Sequence, residues 1–317
     1  MTRSLIALVL AALPALAAAQ SYPSRPVRML IPQPAGGTMD TIARMVSNEI
    51  TPALGQNIVI DNRSGANGII AGDTLARAAA DGHTLLYTSA SLANNQLVHK
   101  KLPFDALKDF APVTQVTTLP GYLILVNPQL PAKSLKDLIE LSKKTTVHFG
   151  SSGRGNSQHL LGELINARAG AKMAHVPYKG FALIVNALMS NEIQVAFGAP
   201  TTVVPHIKAG RLRAIAYTGE KRWAGMPDLP ATGESIPGFS YEASWHGIFA
   251  PVATPRAVVL KLQSEVRRVV LEPRMRAKLE SGGHVPIGST PEEFAKFLKV
   301  YFRDTAEQLR IAGVQAQ

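Results

Sequence analysis

Cysteine is absent from the 317 residues, and aromatic residues make up only 6% of them. The first absence excludes a disulfide scaffold, a thiolate metal site, a cysteine nucleophile and a lipid-modified N-terminal cysteine. The second leaves too few rings to interleave with the basic residues, so a base-stacking nucleic-acid surface is not expected. No period of about 30 residues recurs, which excludes solenoids and propellers. The eight histidines stand apart along the chain with no i, i+4 pair on a helical pattern, so the sequence gives a metal site no local support.

Long apolar runs are also missing, apart from one at the start. Residues 1–19 place Arg3 ahead of an apolar stretch from Leu5 to Leu16, then Ala17-Ala18-Ala19 before Gln20-Ser21. That is the layout of a cleaved secretory signal. The stretch is shorter than the ~20 apolar residues that span a bilayer, and Pro14 interrupts it. Removing the signal lowers the formal charge from +11 to +10, because Arg3 is the one charged residue in it. The remaining basic residues are spread out. Their densest groups, Arg267-Arg268 and Arg274 to Lys278, lie in helical patterns that read as solvated faces. A basic surface of this kind concentrates anionic solutes, and nucleic acid is not the expected partner.

Beyond the signal, short β-rich runs alternate with helical periods, the pattern of an α/β fold. Val27 to Ile31, Ile58 to Ile60 and Leu85 to Thr88 read as strands; Met39, Ile42, Ala43, Val46 and Ile50 mark a helix between the first two, and Ile69 to Ala80 another. A second series starts near Tyr122, with strands at Leu123–Val126, Val147–Phe149, Met173–Val176, Ile193–Phe197 and Leu212–Tyr217. A last apolar run, His246 to Ala250, precedes helical patterns at Pro255–Leu271 and Pro291–Ala312. The expected organisation is a first lobe at 20–121, a second at 122–244, and a return to the first at 245–317, with the chain crossing twice.

The loops after the strands carry the polar chemistry. "QPAGGTMDTIAR" at 33–44 puts Gly36, Gly37 and Thr38 at a helix start, where unpaired N–H groups and the helix dipole suit a carboxylate. Ser89 and Ser91 follow another strand. Ser152, Gly155, Asn156, Ser157 and His159 follow a third, and Gly198 and Ala199 a fourth. Small donor-rich loops spread over both series point to one anion held between two lobes.

Enzyme readings find less support. Gly150-Ser151-Ser152-Gly153 is a residue short of a nucleophile elbow, and Gly153 to Gln158 lacks the last glycine of a dinucleotide fingerprint. The alternative in another class is a secreted hydrolase of small esters, with Ser152 or Ser157 as nucleophile and His159 as base.

The segments "PQPAGGTMDTIAR", "LGQNIVIDNRSGANG", "ADGHTLLYTS", "SSGRGNSQHL", "AHVPYKG", "VPHIKAGRLRAIAYTGEKR" and "GSTPEEFAKF", in this order, resemble the Bug-type receptors, the extracytoplasmic solute-binding proteins of tripartite tricarboxylate transporters. The resemblance runs from Pro23 to Gly313. It implies a type II periplasmic binding-protein fold, with two lobes, each built on a mostly parallel sheet flanked by helices, and a ligand cleft between them. It further implies no catalysis, cofactor or metal, a small organic acid as ligand, a periplasmic location and a two-part membrane permease as partner. A monomer is expected, and a membrane sensor kinase is the alternative partner. By resemblance, ligand contacts fall on Ala35, Gly36, Gly37, Thr38, Ser89 and Ser91 in the first lobe, and on Ser152, Gly155, Asn156, Ser157, His159, Gly198 and Ala199 in the second. Asp40 and Arg44, four apart on a helix, are expected to pair with each other. Lys179 either meets an acidic ligand or covers the surface. Gln33 stands where the family usually has Phe, and Ala35 where it has Pro, so Gln33 gives the cleft wall a donor and an acceptor.

Overall fold

The computed structural model describes residues 22–314; the expected signal at 1–19 lies outside them. Two separate sheets form. The first holds β1 (Val27–Ile31), β2 (Ile58–Asn62), β3 (Thr84–Ser89), β4 (Phe110–Leu119), β10 (Ser244–Pro251) and β11 (Val285–Pro286), in the order β11-β4-β10-β3-β1-β2. The second holds β5 (Leu123–Val126), β6 (Val147–Ser151), β7 (Met173–Pro177), β8 (Val195–Gly198) and β9 (Arg213–Tyr217), in the order β7-β6-β8-β5-β9. Helices cover both faces of each sheet, so each lobe is a three-layer unit with an apolar core above and below its strands.

Most strands of each sheet point one way, as expected, and a minority that runs against them makes both sheets mixed. β1 runs parallel to β2 and β3, and β6 parallel to β7 and β8. β10 is antiparallel to β3 and β4, and β5 is antiparallel to β8 and β9. Two of the reversed strands, β5 and β10, follow the crossings, and β11, antiparallel to β4, is a third. β5 enters the second sheet from the end of β4, and β10 re-enters the first beyond β9, so each arrives from the opposite side to the βαβ strands around it.

The helices are α1 (Thr38–Leu54), α2 (Ile69–Ala76), α3 (Ser91–Val98), α4 (Leu135–Lys144), α5 (Ser157–Ala169), α6 (Phe181–Met189), α7 (Pro200–Lys208), α8 (Arg256–Val270), α9 (Pro273–Ser281) and α10 (Pro291–Ile311). Their ends follow ordinary capping chemistry. Ser134 and Asp137 form a capping box on α4, as Thr290 and Glu293 do on α10, and Gly55 ends α1 in the left-handed region at φ 70°. The second helical pattern ends at Ala76, four residues earlier than the spacing suggests.

α10 does not belong to the first lobe alone. Phe294 and Leu298 pack there with Trp245 and Phe249, whereas Leu309 joins the core of the second lobe. Val98, at the end of α3, enters that second core as well. The lobes are therefore joined by packing beside the crossings as well as by the chain itself.

Candidate functional site

Between the sheets lies a crevice of about 1140 Å³ lined from both. Five helix starts open onto it: Gly37, Thr38 and Met39 of α1, Ser91 of α3, Asn156, Ser157 and Gln158 of α5, Gly180, Phe181 and Ala182 of α6, and Ala199 ahead of α7. The cap residues of four of these helices, Gly37, Ala90, Gly180 and Ala199, make no side-chain cap hydrogen bond, although the Ser91 amide at the start of α3 donates to Ser89 Oγ at 3.4 Å. Asn156 caps the fifth by accepting the His159 amide at 2.9 Å. Uncapped first turns leave N–H groups and partial positive charge facing the crevice. Among the described residues no Asp or Glu lines it, and Lys179 is the one Lys or Arg that does. The arrangement suits a small anion.

The first-lobe loop is built around a carboxylate of its own. Asp40, 3% exposed in the first turn of α1, accepts from the Gly36 amide at 3.0 Å, from Arg44 Nε at 2.9 Å and from Asn62 Nδ2 at 3.0 Å. Burial works against its ionisation, but these hydrogen bonds and the Arg44 charge outweigh it and hold the carboxyl below the usual range. The expected Asp40–Arg44 pair is present. Gly36 is corrected in one respect: it lines the crevice, but its amide is already given to Asp40, so Gly37 and the first residues of α1 are the donors left to a ligand.

In the second lobe Gln158 ties the loop together. Its Oε1 accepts from the Ser152 amide at 3.0 Å and the Ser152 hydroxyl at 3.1 Å, and its Nε2 donates to the Phe197 carbonyl at 2.7 Å. Of the expected contacts, Gln33, Ala35, Gly36, Gly37, Thr38, Ser89, Ser91, Ser152, Asn156, Ser157, Lys179 and Ala199 line the crevice.

Gly155, His159 and Gly198 do not line it. Gly155 and His159 border a separate hollow of about 330 Å³ with Val98, Arg154 and Glu163. A Cβ on Gly155 would lie 2.5 Å from Val98, so this glycine, at φ 77°, permits close contact between the lobes. His159 turns inward: its Nδ1 accepts the Gly155 amide at 3.1 Å, and its ring packs 4.1 Å from that of His175. Burial, with the Arg154 charge adding to it, pushes His159 down to about 4. Gly198 is buried at the end of β8, where a Cβ would strike Val203 and Phe181.

The hydrolase pairing does not form. Ser152 is engaged by Gln158, His159 by Gly155, and the serine that does meet a histidine is the buried Ser151, 2.6 Å from His175 Nε2. Histidines that stand apart in the sequence meet in the fold, where His159 packs on His175 and His246 stacks on His284 at 5.3 Å.

Several crevice residues escaped sequence reasoning. Ala66 and Asn67 hold positive φ next to Gly65 and Gly68, a backbone kink bonded by Asn67 Nδ2 to Asn95 Oδ1 at 2.9 Å. The turn residues of "SGANG" were the available signal. Tyr122, His206, His246 and His284 come from four distant segments, and nothing local brings them together.

A two-lobed α/β binding protein, with its ligand site at the mouths of both sheets, is what this fold and crevice define. Residues 42–307 match the family model described as tripartite tricarboxylate transporter family receptor, and the chain belongs to that family. It is similar to Protein BugT of Bordetella pertussis, at 32% identity over 302 residues, covering 94% of this chain and 92% of that protein. Among solved structures it resembles R. palustris Rpa4515 with adipate, at TM-score 0.89 and 30% identity, covering 94% of this chain and 100% of that one. It also resembles MatC from Rhodopseudomonas palustris with bound malate, at TM-score 0.84 and 28% identity, covering 91% and 100% respectively. The chain is thus a solute-binding receptor of the Bug type.

Proposed function

We propose that this receptor works in the periplasm, captures a small organic carboxylate by closing its two lobes on it, and delivers it to a two-part membrane permease. The observation that carries the reading is the convergence of five helix starts, four of them with cap residues that make no side-chain cap hydrogen bond, on a crevice that no Asp or Glu lines among the described residues. Fixed amide dipoles need little reorganisation to receive an anion. Only a ligand that touches both lobes favours the closed form, and Gly37 and Thr38 face it from one side while Asn156 and Ser157 face it from the other. The adipate and malate held by the two similar structures support a carboxylate as the class. Among the described residues no helix is long and apolar enough to cross a membrane.

The test is a thermal-shift screen of the purified chain against mono-, di- and tricarboxylates, aromatic acids and neutral amides. Mass action raises the melting temperature with the logarithm of ligand concentration over Kd, by ~2.7 kcal/mol of added stability at a hundredfold excess. Hits confined to carboxylates are expected. Stabilisation by neutral amides alone would count against the reading.

A further inference from the structure

The same crevice has a second polar feature, away from the glycine-bearing turns. His246 on β10 pairs in register with Ser89 on β3 and with Thr117 on β4, and Pro286 of β11 pairs with Thr117 in turn. His284 directly precedes Val285, which pairs with Thr118, so it lies two positions along from that row towards the carboxyl end of β4. The rings of His246 and His284 stack at 5.3 Å with 28° between their planes, and both line the crevice.

His284 is 1% exposed, yet neither its Nδ1 nor its Nε2 has a hydrogen-bond partner. His246 uses its Nδ1 on Thr117 Oγ1 at 3.4 Å, which leaves Nε2 as its remaining polar atom. Buried polar nitrogens in this state lack the hydrogen bonds that native interiors supply, so the site is short of a polar partner.

Charge and distance say what kind of partner fits. Burial pushes His284 down to about 4 and, with His284 beside it, drives His246 well below its ordinary value, so at neutral pH both rings are uncharged and each can donate and accept. Lys179 stands beyond β7 in the other sheet. A second carboxylate placed on two neutral imidazoles would lose hydration and gain no opposite charge from the rings themselves. In the sheet order, β10 lies two strand spacings from β1, about 10 Å from the strand that leads to the Gly37 turn.

We propose that His246 and His284 form a distal subsite for an elongated acid, one whose carboxylate sits at the helix starts and whose far end, about six carbons along, is an uncharged hydrogen-bonding group such as a carboxamide. This rests on the carboxylate-receptor reading and adds the ligand's other end to it.

Titration calorimetry on the purified chain with hexanoate, adipate and 6-amino-6-oxohexanoate tests it. The monoamide is expected to bind about tenfold more tightly than hexanoate, the worth of one well-formed hydrogen bond, and more tightly than adipate. His284→Phe keeps a ring to stack and removes both nitrogens, so it should abolish the monoamide's advantage over hexanoate; His246→Phe should diminish it. The comparison of the three acids on the unaltered chain stands even if neither variant folds. The subsite is overturned if hexanoate and the monoamide bind equally, if adipate binds more tightly than the monoamide, or if His284→Phe leaves the advantage intact. Failure of all three acids to bind, while another carboxylate of the thermal-shift screen still binds, would overturn the subsite and leave the carboxylate reading standing; failure of every carboxylate in that screen would overturn both.

Discussion

The hydroxyl of Thr218 accepts a hydrogen bond from the Tyr122 amide at 2.8 Å, which fastens one crossing of the chain to the other. The same hydroxyl donates to the Tyr241 carbonyl at 3.0 Å, and the backbones of Tyr122, Thr218 and Tyr241 are hydrogen-bonded side by side. Both segments between the lobes thus meet at one buried threonine.

Thr218→Val keeps the shape and removes both hydrogen bonds, leaving a buried amide and a carbonyl short of a partner. A loss of about 1–3 kcal/mol in unfolding free energy is expected, read from urea denaturation. A change within about 0.5 kcal/mol would show that the crossings are held by other means.

Gly37 and Gly155 separate ligand contact from fold. A Cβ on Gly37, at φ −75°, would meet Gln33 at 3.5 Å and Pro34 at 3.6 Å, ordinary contact distances. Gly37→Val should therefore fold almost normally, within about 0.5 kcal/mol, while its bulk at the mouth of α1 blocks carboxylate binding in calorimetry. Gly155→Val meets a positive φ and a 2.5 Å approach to Val98, and should destabilise the chain by at least about 2 kcal/mol. If Gly37→Val binds its carboxylate as well as the unaltered chain does, the amides of that turn do not hold the ligand.

Acid should weaken the fold through histidines that are held neutral. His284 titrates near 6.5 when unfolded and about 4 when folded, so between these values the unfolded chain binds more protons. Its contribution is complete above pH 6.5 and is lost as pH falls towards 4, on the order of 3 kcal/mol at full extent. Melting temperatures measured from pH 7 to pH 4 should fall, and the fall should be shallower in His284→Phe. A variant whose melting temperature drops as steeply as that of the unaltered chain would contradict this account.

The elements that follow local periodicity were legible in the sequence. β1, α1, β3, β5 and α10 show as apolar runs or helical spacing, and the donor-rich loops at 33–38, 89–91 and 152–157 are visible because small residues follow directly on strands. β4 gave no such signal, since "FAPVTQVTTL" mixes a proline with polar residues that pair inside the sheet. The direction of β10 depends on where the chain returns from, which no local pattern encodes. His159 and Gly155 misled for a physical reason: a helix-start motif specifies donors, but not which side of the loop faces the crevice, and here one side faces the contact with Val98. The His246–His284 stack joins residues 38 apart in sequence through β-sheet register, so it emerges only from the fold.

The central claim is that amide dipoles from both lobes hold a carboxylate. Its most direct measurement is isothermal titration of the purified chain with the carboxylate giving the largest thermal shift, set beside the methyl ester of that acid. The ester keeps the shape and removes the negative charge, so binding should weaken by about a hundredfold or more, as expected when charge-assisted hydrogen bonds are lost. Equal affinities for acid and ester would contradict anion capture by the helix starts.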